Sequence, residues 1–235
     1  MKAILFDLDG TLLPMDTEAF TRAYFGALAA EVAPLGLKPD ALVSAVWAGT
    51  KAMVLNDGAR LNREAFWEVF TARTGMPRET IEPVCDRFYS EGFHKARSAT
   101  GANPLAREAV RQAHLHAEKV ALATNPLFPP EGQATRLSWI GLAPEDFDLV
   151  THYGSDVYCK PNPAYYTDVC RRLNVAPADC LMIGNDAWED MAIRELGVPV
   201  YLVTDCLENK QGLPLDDAAW TGSLEALVEK LENLT

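Results

Sequence analysis

The sequence has little positive charge for its length. Its 235 residues include 21 Lys and Arg against 33 Asp and Glu, which gives a formal net charge of -12 at pH 7. Proteins that bind nucleic acids or anionic membrane surfaces rely on clusters of Lys and Arg to meet phosphates. We therefore predict no nucleic-acid partner and no membrane partner. A phosphate-bearing ligand would need a local positive site that works against the global charge.

Long apolar segments and paired cysteines are also missing. No apolar run reaches the roughly 18 residues of a membrane span, and no signal-like segment precedes the first apolar run at Ala3. The five cysteines show no Cys-x-x-Cys spacing; they are Cys85, Cys159, Cys170, Cys180 and Cys206. We expect reduced, mostly buried thiols and a cytoplasmic protein.

Histidine is scarce and scattered. Four histidines occur, and they have neither clustered spacing nor a carboxylate partner in sequence: His94, His114, His116 and His152. Zinc sites and histidine-based catalytic triads need such groupings. The sequence therefore argues against both kinds of site.

Apolar residues, at 49% of the chain, are enough to form a substantial core. From Asp16 to about Phe93 their spacing predicts four helices, with Asp16 or Thr17 capping the first and Asn62 capping the third. Beyond residue 100, strand-type runs alternate with helical patterns, including a helix from Trp188 to Leu196 and a last one that ends at Leu234. The strand-type runs cover residues 119–124, 149–152, 180–183 and 200–203. This alternation predicts an α/β fold, a parallel sheet covered on both faces, with a helical insertion after its first strand.

Polar side chains follow four of the predicted strands at the point where each strand ends. They are Asp7 and Asp9, then Thr124 and Asn125, then Lys160, and finally Asp186 and Asp190. Ligands of open parallel sheets bind beyond the carboxyl ends of the strands. Carboxylates at the end of a buried strand need a cation or hydrogen-bond donors, and Mg²⁺ prefers oxygen ligands. The pattern favours a binding site at this edge, with Asp7 and Asp9 meeting Mg²⁺.

Each of these residues also has a purely structural interpretation. Asp9-Gly10 is a strong two-residue hairpin signal, and Thr124-Asn125-Pro126 is ordinary turn chemistry. Asp186 could cap a helix, and Lys160 and Asp190 could be solvated surface charges. Independent structural roles do not explain why such groups occur at successive strand ends in one chain. We therefore favour the functional interpretation.

The same residues resemble the motifs of the haloacid dehalogenase (HAD) superfamily. Its first motif, Asp-x-Asp-x-Thr, stands here as Asp7-Leu8-Asp9-Gly10-Thr11, and its second as Thr124. The third stands as Lys160-Pro161, and the fourth, a pair of acids, as Asp186 with Asp190. The resemblance implies a Rossmann-like core in three α/β/α layers, formed by residues 1–14 and 100–235. Residues 15–99 would form an inserted α-helical cap domain.

The resemblance also implies a chemistry for the first motif. Asp7 would be the nucleophile, and it would form an aspartyl-phosphate. Asp9 would act first as general acid and then as general base. Superfamily members that hydrolyse carbon-halide bonds lack an acid at this position, because a halide leaves without a proton. Asp9 therefore favours phosphate esters.

Binding roles follow from the remaining motifs. Thr124, Asn125 and Lys160 would bind the phosphoryl group. Mg²⁺ would be held by Asp7, the Asp9 backbone carbonyl and Asp186. Asp190 would support the metal through water or would contact Lys160 directly, and Glu189 is an alternative to Asp190.

These expectations define a Mg²⁺-dependent phosphatase of a small phosphorylated metabolite, such as a sugar phosphate, phosphoglycolate or a nucleotide. A phosphomutase and a non-catalytic binding or regulatory module on the same fold remain alternatives. In the helical insertion we expect Trp47 to be part of the core and Lys51 and Arg60 to be solvated. Neither these residues nor the nearby Asn56 and Asp57 are assigned a role.

Overall fold

Six parallel strands form the centre of the structure, a computed structural model that describes residues 1–233. The order across the sheet is β3-β2-β1-β4-β5-β6, and each neighbouring pair is parallel. The strands are β1 (Ala3–Phe6), β2 (Lys119–Leu122), β3 (Leu149–Val150), β4 (Cys180–Gly184), β5 (Val200–Val203) and β6 (Trp220–Gly222). The predicted parallel α/β fold is confirmed, and β6 is a strand that the sequence did not indicate.

Strand β1 is apolar throughout because both faces of the sheet are covered. Ile4 and Phe6 pack into one core cluster, together with residues of the helices α5 (Ala106–His116) and α8 (Leu224–Glu232). Ala3 and Leu5 pack into a second cluster with the helix α7 (Pro163–Leu173). Side chains alternate between the faces of a strand, so β1 contributes to both layers of helices.

Strand β1 also lies at the switch point of the sheet, between β2 and β4. Its register pairs Ile4 with Val120 on one side and with Leu181 on the other. The chain runs outward from β1 on one side to β2 and β3, then crosses to β4 on the other side. Ligands of such sheets bind in the crevice at this point, beyond the carboxyl ends of the strands.

The helical insertion lies between β1 and α5, as predicted. Its helices are α1 (Thr17–Val32), α2 (Pro39–Val54), α3 (Asn62–Thr74) and α4 (Arg78–Arg87), followed by a π-helical turn (Phe88–Gly92) and a 3₁₀ helix (Phe93–Ala99). Asp16 caps α1 as expected, since its Oδ1 accepts a hydrogen bond from the Ala19 N–H at 2.8 Å. The division into a core and a cap over residues 15–99 remains our interpretation.

Two expectations about side chains in this insertion were wrong. Asn62 does not cap α3: it is the first helical residue, it is fully buried, and its Nδ2 donates to the Tyr158 carbonyl at 3.2 Å. Trp47 is not in the core, because 53% of it is exposed. It follows Val46 by one residue, and a step of about 100° around the helix turns it away from the buried stripe of α2.

One helix of the core differs from its predicted bounds, and the predicted end of another cannot be compared within residues 1–233. The segment predicted as a helix from Trp188 is a 3₁₀ helix that begins at Asp190 and ends at Leu196. The Asp186 carboxylate accepts the N–H groups of Trp188 and Glu189, which holds residues 186–189 in a turn. Helix α6 (Pro130–Trp139) lies before α7 in the chain, and α8 is the last helix. The predicted end of this last helix, at Leu234, lies outside the described residues.

Two features of the composition have structural counterparts. All five cysteines are free, and four of them are buried, with Cys206 partly exposed, which agrees with the predicted thiols. None of the helices within residues 1–233 has the length and apolarity needed to span a bilayer.

Candidate active site

The loop after β1 is a tight turn and not a hairpin. The Gly10 N–H donates to the Leu13 carbonyl, the Leu13 N–H donates to the Leu8 carbonyl, and no antiparallel partner of β1 follows. Gly10 has a φ of +86°, and a Cβ there would lie 2.2 Å from Asn185 Nδ2. The hairpin alternative for Asp9-Gly10 is therefore wrong. The turn needs glycine for its conformation and for the close approach of the loop after β4.

Lys160 connects the ends of β1 and β4. Its Nζ donates to Asp7 Oδ1 at 2.9 Å and to Asp190 Oδ1 at 2.7 Å, and only 1% of the residue is exposed. Burial lowers the pKa of Lys160, but the Asp190 and Asp7 carboxylates outweigh burial and raise it well above its ordinary value. The structure thus places the buried Lys160 ammonium group against the Asp7 carboxylate, and the solvated alternative for Lys160 is wrong.

Asp190 fixes Lys160 and the loop after β4 at the same time. Its Oδ2 accepts the backbone N–H groups of Asn185 and Asp186, each at 2.9 Å. Gly184 makes this approach possible, since a Cβ at that position would lie 2.1 Å from Asp190 Oδ2. Of the two arrangements expected for Asp190, the structure contains the direct contact with Lys160.

The neighbours of Asp190 have different environments. Asp186 Oδ1 accepts the N–H groups of Trp188 at 2.7 Å and Glu189 at 2.9 Å, so this residue caps a turn and not the start of a helix, which was its structural interpretation. Its Oδ2 takes no part in these bonds. Burial raises the pKa of Glu189 to about 8, against the lowering effect of Lys160. Glu189 therefore holds a proton more readily than an ordinary glutamic acid.

Asn185, which follows Gly184, ties three loops together. Its Oδ1 accepts from Thr11 Oγ1 at 2.8 Å, and its Nδ2 donates to the Cys206 carbonyl at 2.7 Å. The residue is buried. An aspartate would lack the amide donor for Cys206, so asparagine suits this position as a structural link between the loops that follow β1, β4 and β5.

Thr124 and Asn125 lie at the end of β2, where the sequence placed them. The Thr124 carbonyl accepts from Thr151 Oγ1 at 2.6 Å and from Tyr165 Oη at 2.9 Å, which anchors the backbone of this loop. Asn125 Nδ2 donates to the Lys160 carbonyl over a long 3.5 Å. Asn125 Oδ1 is buried with no hydrogen-bond partner in the described residues.

The sequence did not reveal the partner of Asp9, which is Arg136 of α6. Arg136 Nη1 forms an ion pair with Asp9 Oδ2, and the guanidinium also bonds to Gln133 Oε1. Its Cζ lies 4.1 Å from the centroid of the Phe128 ring, and no part of the Arg136 side chain is exposed. A signal existed: Gln133 and Arg136 are three residues apart on one helix face, and that face also carries the buried Leu137.

Asp9 experiences opposing electrostatic effects. Desolvation in its apolar surroundings raises its pKa, and the nearby Asp7 carboxylate adds to the rise. The Arg136 guanidinium lowers the pKa but does not cancel the increase. The net direction is upward, which suits a carboxyl group that must carry a proton before it can donate one.

The edge of the sheet has oxygen atoms that suit a hard cation. Within residues 1–233 no three His, Cys, Asp or Glu side chains are grouped as a metal cage. Mg²⁺, however, is usually held by one or two carboxylates together with water and substrate phosphate. Asp9 Oδ1 and Asn125 Oδ1 are buried here without a hydrogen-bond partner among the described residues. Such unpartnered oxygens fit a site that is completed by a cation and a phosphate group.

A cavity of about 250 Å³ adjoins Asp9 and extends between the inserted helices and the loop before α6. Its wall is made by residues of α1, α2, α3 and the segment Leu127–Phe128. Of the predicted site residues, Asp9 is the one that lines it. The site thus has a charged part at the strand ends and an apolar part under the helices.

Fold and site together define an α/β protein in which a carboxylate–lysine–carboxylate group lies at the switch point of a parallel sheet. A family model for haloacid dehalogenase-like hydrolases matches residues 1–197. The chain belongs to this hydrolase family. A comparison with curated proteins found no match.

Solved structures with the same fold include several kinds of enzyme. An HAD phosphatase from Thermococcus onnurineus is 20% identical over 98% of both chains, with a TM-score of 0.61. The L-2-haloacid dehalogenase from Xanthobacter autotrophicus is 16% identical over 100% of both chains, with a TM-score of 0.60. A provisionally assigned beta-phosphoglucomutase from Thermotoga maritima is 23% identical over 100% of both chains, with a TM-score of 0.59. At these identities the likeness shows the fold alone.

Proposed function

We propose that the chain is a Mg²⁺-dependent phosphomonoester hydrolase that acts on a small phosphorylated metabolite through Asp7. The observation that supports this most strongly is the position of Asp9. It is a second carboxyl group, its pKa is raised, and it lies between the Asp7–Lys160 pair and a cavity large enough for a leaving group. Hydrolysis of a carbon-halide bond has no use for a proton donor there, whereas an alkoxide leaving group needs one.

In the first displacement Asp7 attacks the phosphorus atom. Lys160 holds Asp7 Oδ1, which orients the carboxylate and leaves Oδ2 as the attacking atom. The bond from phosphorus to the ester oxygen breaks, and Asp9 gives its proton to that oxygen. The products are an aspartyl-phosphate and the free alcohol.

In the second displacement a water molecule attacks the phosphorus of the aspartyl-phosphate, and Asp9 takes a proton from that water. Asp7 leaves as a carboxylate and inorganic phosphate is released. Lys160 stays charged throughout and pairs with the phosphoryl oxygens. Thr124 and Asn125 at the end of β2 would donate hydrogen bonds to the same group.

Asp7, the Asp9 carbonyl and Asp186 are the groups that would hold Mg²⁺. When bound, the ion supplies positive charge that offsets the repulsion between a phosphate dianion and the Asp7 carboxylate. Asp190 acts on this site through Lys160, which it contacts at 2.7 Å.

The test is release of inorganic phosphate from 4-nitrophenyl phosphate and a panel of phosphorylated metabolites, with Mg²⁺ and with the metal chelated. We expect metal-dependent release that falls at least about 10³-fold in Asp7→Asn. Asp40→Asn, at an exposed position on α2, is the control and should keep full activity. Metal-dependent release that survives in Asp7→Asn would contradict the proposal. Formation of an isomeric phosphate in place of free phosphate would identify a mutase.

A further inference from the structure

We propose that the preferred substrates are phosphate monoesters of an apolar alcohol, either aromatic or branched aliphatic, whose organic part fills the cavity beside Asp9. This inference rests on the proposed hydrolase function and specifies its substrate class. It differs from the sugar phosphates, nucleotides and phosphoglycolate that the sequence suggested. The reasons are the apolar lining of the cavity, the absence of Lys, Arg and His from that lining among the described residues, and the size of the cavity.

The lining is mostly apolar, and its rings pack on one another. Aromatic rings contribute much of it, among them Phe20, Phe66, Trp67, Phe70 and Phe128. These rings pack on one another: Phe66 stacks on Phe70 with centroids 5.5 Å apart, and Trp67 meets Phe70 edge-on at 5.3 Å. Rings held by their neighbours form a cavity that exists before the ligand binds, and an apolar group gains from entering it.

Several hydroxyl groups of the lining are already engaged. Tyr24 Oη and Tyr89 Oη share a hydrogen bond of 2.8 Å. Thr21 Oγ1 donates to the Thr17 carbonyl at 2.7 Å, and Thr17 Oγ1 donates to Glu208 Oε1 at 2.8 Å. A sugar would have to bury several hydroxyls against this wall, and each one left without a partner counts against binding.

No Lys, Arg or His is among the cavity-lining residues in the part of the chain that the structure describes. A second phosphate, as in a bisphosphate or a nucleotide, or the carboxylate of phosphoglycolate, would enter an apolar space that contains the acid Asp9. Like charge and desolvation would both disfavour that arrangement. The buried cations of the site, Lys160 and Arg136, are engaged by Asp7, Asp190 and Asp9.

The size of the cavity agrees with one ring and a short substituent, or with two fused rings. It measures about 250 Å³, whereas an engineered apolar cavity of about 150 Å³ is known to bind benzene. Trp47 both lines the cavity and is exposed, so it marks where the space meets solvent. The ester oxygen would lie beside the Asp9 carboxyl group, which also lines the cavity.

The test compares esters whose leaving groups are all primary alcohols, so that leaving-group chemistry does not decide the rates. Benzyl phosphate and 2-naphthylmethyl phosphate are compared with glucose 6-phosphate and phosphoglycolate, all with Mg²⁺. We expect kcat/KM to be at least about 100-fold higher for the aromatic esters, the factor expected for burial of one ring. Equal or higher kcat/KM for the sugar phosphate or phosphoglycolate would overturn the inference and leave the hydrolase standing.

A cavity-filling variant tests the position of the organic group. Thr50→Phe introduces a ring into the lining and should lower kcat/KM for 2-naphthylmethyl phosphate about tenfold or more, and it should lower kcat/KM less for the smaller methyl phosphate. Ala41→Phe places the same ring on an exposed position of α2 outside the cavity and should change kcat/KM less than about twofold. Unfolding in urea checks that both variants are folded. An unchanged kcat/KM in Thr50→Phe would contradict the proposed binding mode.

A binding measurement separates failure of this inference from failure of the hydrolase function. The product alcohol 2-naphthylmethanol should change the fluorescence of Trp47 and Trp67 in a saturable way, and Thr50→Phe should abolish the change. If no ester releases phosphate but this binding is found, the hydrolase proposal fails and the apolar ligand class stands. If the esters are hydrolysed and the alcohol does not bind, the ligand class fails.

Discussion

Replacement of Arg136 by Met should destabilise the protein by about 3 kcal/mol, because it leaves the Asp9 carboxylate without its cation in a poorly solvated place. The ion pair joins an Arg side chain that is 0% exposed to an Asp side chain that is 31% exposed. Removing one partner of a buried pair costs about 3–5 kcal/mol, and the partial exposure of Asp9 places the loss at the low end of that range. Methionine keeps much of the volume and can still pack on Phe128, so the packing loss is small.

The assay is urea unfolding at pH 7, read as a shift of the midpoint at constant slope. Asp9→Asn alone should also destabilise, since it leaves Arg136 with Gln133 Oε1 and the Gly132 carbonyl as its remaining partners. The loss of unfolding free energy in the double variant should be about 2 kcal/mol smaller than the sum of the two single losses, because the double variant leaves neither charge unpaired. This difference measures the coupling of the two side chains.

Arg111→Met provides the matched control. Arg111 and Glu108 also form an ion pair, but their side chains are 57% and 32% exposed. A pair of this kind contributes about 0.2–1 kcal/mol, so the control should shift the midpoint little. If Arg136→Met lowers the free energy of unfolding no more than Arg111→Met does, burial does not strengthen the Arg136–Asp9 pair. The same conclusion follows if the losses of Arg136→Met and Asp9→Asn simply add in the double variant.

Two further predictions concern the strand ends. Gly184→Ala should lower the free energy of unfolding by about 1–3 kcal/mol and should lower phosphate release. The added Cβ would lie 2.1 Å from Asp190 Oδ2 and would push Asp190 away from Lys160. The control is Gly26→Ala, which has nothing near its Cβ and should be neutral or stabilising. Asp148→Asn should lower the free energy of unfolding by about 1 kcal/mol at pH 7. Burial raises the pKa of the Asp148 carboxyl, but its hydrogen bonds with Lys119 and the Val120 N–H outweigh burial, and the pKa is lowered. A carboxyl group whose pKa is lowered by folding stabilises the folded state at pH values above its unfolded pKa of about 3.9. The difference in unfolding free energy between wild type and variant should therefore narrow as the pH falls below about 4. A difference that stays constant with pH would contradict this cause.

Much of the fold could be predicted because its signals are local. The four runs predicted as strands beyond residue 100 contain strands β2 to β5, and the four helices predicted between Asp16 and about Phe93 are α1 to α4. Asp16, Gly75 and the Pro39 start of α2 act through neighbours within one helical turn, which a sequence displays directly. Strand β6 was not predicted because two of its three residues are exposed at the edge of the sheet, so its sequence lacks the run of apolar residues that marks a buried strand.

The site was predicted as a set of residues but not as a set of contacts. Asp7, Lys160 and Asp190 were placed at strand ends, and the parallel sheet brings them together. Arg136 was missed because nothing near it in sequence shows that Asp9 lies 127 residues away on the facing surface. Asn62 was misassigned for a related reason. Its hydrogen-bond partners, Tyr158 and Cys159, are also distant in sequence, and its side chain bonds to them and does not cap α3.

The two acids of the first motif are separated by one residue, yet each has its own buried cation. Asp7 contacts Lys160, which also holds Asp190, whereas Asp9 contacts Arg136, which is embedded among Gln133, Gly132 and Phe128. The separation matters for the proposed chemistry, since a nucleophile must stay ionised while a general acid must carry a proton. Arg136 lowers the pKa of Asp9 but does not cancel the rise caused by burial and by Asp7, so Asp9 takes up a proton more readily than an ordinary aspartic acid even beside its cation. The side chains of both cations are completely buried against these acids, and within residues 1–233 no Lys, Arg or His lines the cavity beside Asp9. The poorly solvated surroundings that raise the pKa of Asp9 therefore also select against a second anionic group on the substrate.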